Sequence, residues 1–330
     1  MADIDLLSIE PHKVSRDLRG YSVFFYGGWK TGKTTISAKF PHSLILAFEK
    51  GYSAIPGVMV QPIFGWGDFL KVCKQLKDER VKAKYETIVI DTADIAYNYC
   101  EKFICSNEGV NTIAEIPYGK GYTLVSQEFD EKLREIVQLG YGIILISHET
   151  DKVFKDESGT EYNKIVPTLD KRANNIIARM ADIIGYSRTV TDSNGKDKTL
   201  LFMRGTQRFE AGSRFKYTPD YIEFTYNDLV NAIADAIDKQ AAEEGESLFT
   251  NERENAYFNT STPLDFDQLM TEFKERIEKF SKDEEKMDTY YAPRITQIVE
   301  TYLGKGKKVS EINRDQVEQL SLIVDDLRSL

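Results

Sequence analysis

GGWKTGKT, residues 27–34, decides the reading of this chain. It follows the apolar run YSVFFY at 21–26 and precedes a helix-like segment, so the pattern GxxxxGKT stands between a strand and a helix. Glycines there let backbone N–H groups wrap phosphate oxygens, and a helix N-terminus adds its positive dipole. The expected nucleotide-binding segment is Gly27, Gly28, Trp29, Lys30, Thr31, Gly32, Lys33, Thr34 and Thr35. Lys33 is expected at the β and γ phosphates of ATP, the Thr34 hydroxyl on Mg²⁺, and Thr35 at the α-phosphate or as a cap. Lys30 reads either as a cover over the phosphates or as a solvated loop lysine.

Outward from that loop, SLILAF (43–48), TIVID (87–91) and YGIILIS (141–147) are nearly continuous apolar runs, as strands covered on both faces are. Amphipathic segments at 68–77 and 124–139 lie between them, and the alternation predicts an α/β fold with a parallel sheet. IIGYSRTV, a turn at Ser193, Asn194 and Gly195, and KTLLFM predict an antiparallel hairpin closing one edge. Ligands of open α/β sheets collect beyond the C-terminal ends of the strands, and three polar residues stand there. Asp91 closes TIVID, where an aspartate holds Mg²⁺ through water or else caps the next helix. Thr92, not a glutamate, follows it, which counts against the AAA+ arrangement of the hydrolytic base. Glu49, after SLILAF, is therefore the expected base that orients water for attack on the γ-phosphate, its alternative being a surface glutamate in a turn. His148, after YGIILIS, is expected to sense the γ-phosphate or else to be a structural histidine.

The phosphate loop, the glutamate after the second strand, Asp91 followed by Thr92 and a strand ending in Ser147-His148 together resemble the RecA-like P-loop ATPases. They are most similar to the phage-encoded branch known as Sak-type single-strand-annealing or recombination ATPases, AAA-type phage nucleotide-binding proteins. The segment Tyr118-Gly119-Lys120-Gly121-Tyr122 ahead of a long helix also resembles that branch. The resemblance spans residues 20–225. It implies a Mg²⁺-dependent, DNA-stimulated ATPase that forms a homo-oligomer, ring or filament, with ATP between subunits and single-stranded DNA contacted by loops facing the central axis. It places Arg214, in RFEAGSRF, as a finger on the neighbouring subunit's γ-phosphate, although Gly212 stands where relatives often carry lysine. It makes residues 149–170 the DNA-binding loop, with Lys152, Lys155 and Lys164, then Lys171 and Arg172. Asp151, Asp156, Glu157 and Glu161 offset these charges, so a solvated loop is the other reading. Residues 106–122 are expected as a second loop, where Lys120 adds charge and Tyr118 and Tyr122 either stack on bases or pack.

Hydrophobic residues at 41% and charged residues at 29% exclude collagen-like and wholly disordered chains. The net charge of −10 is concentrated: from residue 241 onward there are 20 Asp/Glu against 12 Lys/Arg, leaving a near-neutral body without a broad basic surface. The organisation expected is a RecA-like core over 1–238, a polar linker over 239–262 and an acidic helical bundle over 263–330. In the bundle, Leu269, Phe273, Ile277 and Phe280, then Ile295, Ile298, Val299 and Tyr302, then Val317, Leu320, Ile323 and Leu327 keep helical spacing. It is expected to dock a phage single-strand-binding or recombination protein, or a neighbouring subunit. The alternative function is an ATP-switched adaptor or loader recruiting a DNA-binding partner through these helices. Cys73, Cys100 and Cys105 form no metal spacing with His12, His42 and His148. No apolar run reaches the ~18 residues of a membrane span and the start lacks a signal-like segment, so no membrane partner and a cytoplasmic location, the host's if phage-encoded, are expected.

Overall fold

The structure, a computed structural model, describes residues 6–253 and 264–330. Its central strand β1 (Ser22–Gly27) is buried at every residue. Val23 and Phe25 enter one apolar core while Phe24 and Tyr26 enter another, and a strand apolar on both faces belongs in mid-sheet. After the short helix α1 (Lys33–Ser37) come β2 (Ser43–Ala47), β3 (Val60–Pro62), α2 (Trp66–Gln75), β4 (Thr87–Asp91) and α3 (Ala93–Glu108). Next follow α4 (Lys120–Gln138), β5 (Gly142–Lys155), β6 (Glu161–Pro167) and α5 (Lys171–Met180). The core ends with β7 (Ile183–Thr191), β8 (Asp197–Phe202), β9 (Tyr221–Glu223) and α6 (Tyr226–Glu244).

The sheet order is β9-β8-β7-β1-β5-β4-β2-β3, parallel from β7 to β3 and antiparallel at the β8 and β9 edge. Trp66, Phe69, Phe129 and Leu133 from α2 and α4 pack with Phe24 on one face; Ile36, Leu229 and Ile233 from α1 and α6 pack with Phe25 on the other. The apolar stripe of α4, Val125, Phe129, Leu133 and Ile136, recurs every three to four residues and so faces the sheet throughout. Phe129 is fully buried, and its truncation to alanine would cost about 3–5 kcal/mol. Cys73, Cys100 and Cys105 are buried free thiols. This is the α/β architecture expected from the sequence, with its parallel sheet, antiparallel edge hairpin and glycine-rich loop after the central strand.

Two segments differ from expectation. β5 does not stop at Ser147; it runs to Lys155 and pairs antiparallel with β6 from Glu149↔Pro167 to Lys155↔Glu161. Residues 149–167, expected as a polar loop, thus form a hairpin made of the second half of β5 and β6. Its period-2 pattern puts Lys152, Phe154, Tyr162 and Lys164 on one face, and Asp156 Oδ1 closes the turn by accepting from the N–H groups of Ser158 and Thr160. The expected linker also begins later than residue 239. α6 continues to Glu244, and Phe249–Thr250 pairs in parallel with Val14–Ser15, because Ala241 and Phe249 supply apolar contacts to the core. The remainder of that linker from residue 254 lies outside the described residues.

The C-terminal unit, taken by itself, is built on α7 (Phe266–Ser281), α8 (Ala292–Leu303) and α9 (Val317–Arg328), joined by short helical turns. Leu269, Phe280, Val299, Leu320, Ile323, Val324 and Leu327 form its apolar centre. Among the described residues, no helix is long and apolar enough to cross a membrane.

Candidate nucleotide site

Strand register assembles the site. Gly27 at the end of β1 pairs with His148 on β5, and Asp91 at the end of β4 pairs with Ile146 on β5 and Ala47 on β2. Glu49, two residues beyond β2, is drawn in because the Asp91 carbonyl accepts from the N–H groups of Phe48 and Glu49, at 2.7 and 3.2 Å. Residues 29–35, Glu49, Asp91 and His148 line a cleft of about 650 Å³. Gly51, Ala54, Ile55 and Pro56 also line it, a contribution the sequence reading missed because they belong to no motif.

The loop is held from beneath. A Cβ on Gly27, whose φ is +148°, would stand 2.1 Å from the Ser187 carbonyl oxygen, so β7 itself requires glycine at the start of the motif. Thr31 Oγ1 donates to the Gly28 carbonyl at 3.0 Å and lies 2.8 Å from Ser187 Oγ, another residue the sequence did not single out. Lys33 is buried and its Nζ donates to the carbonyls of Gly27 and Gly28, at 2.9 and 2.7 Å. Burial pushes its ammonium down to about 8, against the pull of Asp91, Glu149 and Glu49. Trp29 and Thr35 are exposed at the cleft, and Lys30 stands at φ +59° on its rim.

Across from the loop, Thr34 Oγ1 donates to Asp91 Oδ2 at 2.7 Å. Asp91 is 1% exposed, and its Oδ1 is buried without a hydrogen-bond partner among the described residues. Burial pushes its carboxyl up to about 6; the Thr34 hydroxyl opposes this and the Glu49 charge adds to it. A hydroxyl and a carboxylate with one uncommitted oxygen are the hard oxygen donors that suit Mg²⁺. Among the described residues no group of three His, Cys, Asp or Glu converges on a metal, so a cation here needs phosphate oxygens and water to complete its shell. His148 Nε2 lies 3.5 Å from Glu49 Oε1, and the His148 ring meets Trp29 edge-on at 6.4 Å. The arrangement brings two carboxylates, an imidazole and a buried ammonium to one cleft. Thr92 is buried and does not line the cleft, and a threonine at position 92 supplies no carboxylate base.

Other expected residues lie elsewhere. Arg214 pairs with Asp182 at 2.9 Å and donates to the Arg179 carbonyl. Asp182 also accepts from the N–H of Ser22, five residues along β1 from Gly27 and roughly 17 Å away, so Arg214 is at the opposite end of the strand from its own chain's cleft. Lys152, Lys155 and Lys164 stand on the hairpin; Lys155 pairs with Glu161 at 3.3 Å and Lys164 with Glu210 at 2.8 Å. Lys171 and Arg172 open α5, and the Arg172 guanidinium lies over the Tyr122 ring at 4.3 Å. Tyr122 packs against the core, Tyr118 is fully exposed, and Lys120 begins α4. Residues 106–122 are the end of α3, two short turns and the start of α4 rather than an open loop.

A family model described as an AAA domain matches residues 19–215, the span that carries this whole cleft. An uncharacterized SPbeta prophage-derived protein of Bacillus subtilis (strain 168), YorG, is 34% identical over 337 residues, covering 99% of this chain and 98% of that protein. Among solved structures, a KaiC-like protein of Pyrococcus horikoshii OT3 aligns with 65% of this chain and 100% of its own, at 12% identity and a TM-score of 0.34. Threonine rather than glutamate at position 92 does not remove the chain from the matched family. Carrying a P-loop nucleotide-binding cleft within residues 19–215 and related along almost its entire length to a prophage protein, the chain belongs to the AAA domain family.

Proposed function

We propose that this chain is a Mg²⁺-dependent ATPase that assembles with its own copies on single-stranded DNA and serves phage recombination, annealing or replication, as Sak-type ATPases do. The observation that carries the reading is the Thr34–Asp91 hydrogen bond of 2.7 Å facing Glu49 and His148 across one cleft. Lys33 and the loop N–H groups bind the β and γ phosphates. Thr34 and Asp91, with water, would hold Mg²⁺, which would supply positive charge against the phosphate oxygens. Glu49 orients the attacking water and takes its proton as the water oxygen bonds to the γ-phosphorus and the bond to the departing ADP breaks. His148 fixes the Glu49 carboxylate. Arg214, remote from its own cleft, acts on the cleft of the next copy.

The hairpin β5–β6 leaves β5 directly after His148, and its Lys152 with the stacked pair Phe154 and Tyr162, 6.0 Å apart, suits a single strand. ATP hydrolysis at low salt, with and without single-stranded DNA, tests the reading. Stimulation that disappears in Lys33→Ala and declines as salt rises supports it. An adaptor switched by ATP is the second reading, favoured by the neutralisation of Lys155 and Lys164 by Glu161 and Glu210. ATP turnover that ignores single-stranded DNA selects it.

A further inference from the structure

The root of the hairpin is gathered onto a carboxylate that none of the roles above employs. Asp94 stands three residues beyond Asp91, in the first turn of α3. Its Oδ1 accepts from the hydroxyls of Ser147, at 3.1 Å, and Thr168, and those two hydroxyls lie 3.3 Å apart. The Thr168 N–H donates to the His148 carbonyl at 3.0 Å. Ser147 and His148 form the point where β5 leaves the sheet, and Thr168 is the first residue after β6. Both legs of the hairpin therefore meet the segment that follows Asp91 at one carboxylate.

Asp94 is an expensive choice for packing alone. Its Oδ2 is buried without a hydrogen-bond partner among the described residues, and burial pushes its carboxyl up despite the bonds from Thr168 and Ser147. A buried acceptor left unpaired carries a desolvation cost, of which a place in the first turn of a helix returns only part. Directionality is what the carboxylate supplies. Two hydroxyls on one oxygen hold Ser147 and Thr168 in a single geometry, so a movement of the β4 end or of His148 is transmitted to both legs.

We propose that Asp94, with Ser147 and Thr168, is the positioning residue that carries the state of the nucleotide cleft to the hairpin 149–167. The proposal rests on the nucleotide-binding part of the function above and is independent of DNA. Hydrogen–deuterium exchange of the full chain, with and without a non-hydrolysable ATP analogue and Mg²⁺, tests it. Exchange across 149–167 slows by at least about threefold when the analogue binds the parent. In Thr168→Val that response falls below about 1.5-fold while analogue affinity, read by calorimetry, stays within about twofold, and Thr168→Ser restores it. Thr168 lies at the surface, so the variant leaves the core intact. Thr168→Val with the full response overturns the proposal, as does a parent whose hairpin ignores the bound analogue. A parent that binds no nucleotide overturns both this proposal and the function. A parent that shows the response yet ignores single-stranded DNA overturns the DNA reading alone and supports the role of Asp94.

Discussion

The two ends of the parallel strands carry charge in opposite ways. At the N-terminal ends, Arg19 bonds to Asp17 and, at 3.0 Å, to Glu86, while Arg253 donates to the carbonyls of Glu86 and Gly140 at 2.9 and 2.8 Å. Burial pushes the Asp17 carboxyl up, but the bonds from Arg19 more than offset it and leave the group below its ordinary value. At the C-terminal ends, Lys33 is pushed down to about 8 and Asp91 up to about 6. Asp91 Oδ1, Thr92 Oγ1, Asp94 Oδ2 and His148 Nδ1 are buried there without hydrogen-bond partners among the described residues. One sheet thus has an end whose charges are mostly paired, although Thr87 Oγ1 is buried there without a hydrogen-bond partner among the described residues and burial lowers the Arg253 guanidinium, and an end whose charges are held under-satisfied around the cleft. The difference teaches where folding alone decides and where a ligand does, since unsatisfied buried polar groups concentrate where a site needs them.

Substitutions at the C-terminal end break that contrast through activity. Glu49→Gln lowers ATP hydrolysis by about 10²–10⁴-fold in a phosphate-release assay while ATP affinity stays within a few-fold. Lys33→Ala lowers kcat/KM by about 10²–10³-fold without lowering the melting temperature, because a buried ammonium leaves with the side chain. At the other end the effect falls on stability. Arg253→Met costs about 2–3 kcal/mol and lowers the melting temperature by roughly 4–12 °C, with KM for ATP unchanged.

The smallest effect sharpens the contrast most. Asp91→Asn raises the melting temperature at pH 7.5 by about 2–6 °C, since the charged carboxylate costs up to about 3 kcal/mol there. The sign follows from the proton: the folded protein binds it with a pKa of about 6, above the ordinary 3.8. The penalty is complete above pH 6 and disappears as the pH falls towards 3.8, so the variant's advantage fades over that window. The Lys33 penalty runs the other way, complete below about pH 8 and relieved as pH rises towards 10.5. A scan of melting temperature against pH for parent and variant reads both.

Much of the cleft is legible in the sequence because it sits at strand ends. Lys33, Thr34, Glu49, Asp91 and His148 each follow an apolar run or belong to the glycine-rich loop, and strand register brings such ends together. The hairpin at 149–167 is less visible: both faces are solvated over most of its length, so the alternation Thr150, Lys152, Phe154 is polar enough to pass for a loop. Its signals are that period of two and the turn residues of DESGT. Ser187, Asp94 and Thr168 are invisible locally because their partners lie 156, 53 and 74 residues away. Arg253 lies in a polar stretch that composition reads as linker, and its burial follows from the carbonyls of Glu86 and Gly140 and the Glu86 carboxylate, partners remote in sequence.

Phosphate release from Mg²⁺·ATP by the full chain, run beside Lys33→Ala and Arg253→Met below the melting temperature of all three, tests the central claim most directly. The account predicts turnover in the parent, its loss in Lys33→Ala and parental turnover in Arg253→Met. A parent that neither binds nor hydrolyses ATP, or a Lys33→Ala chain as active as the parent, would contradict it.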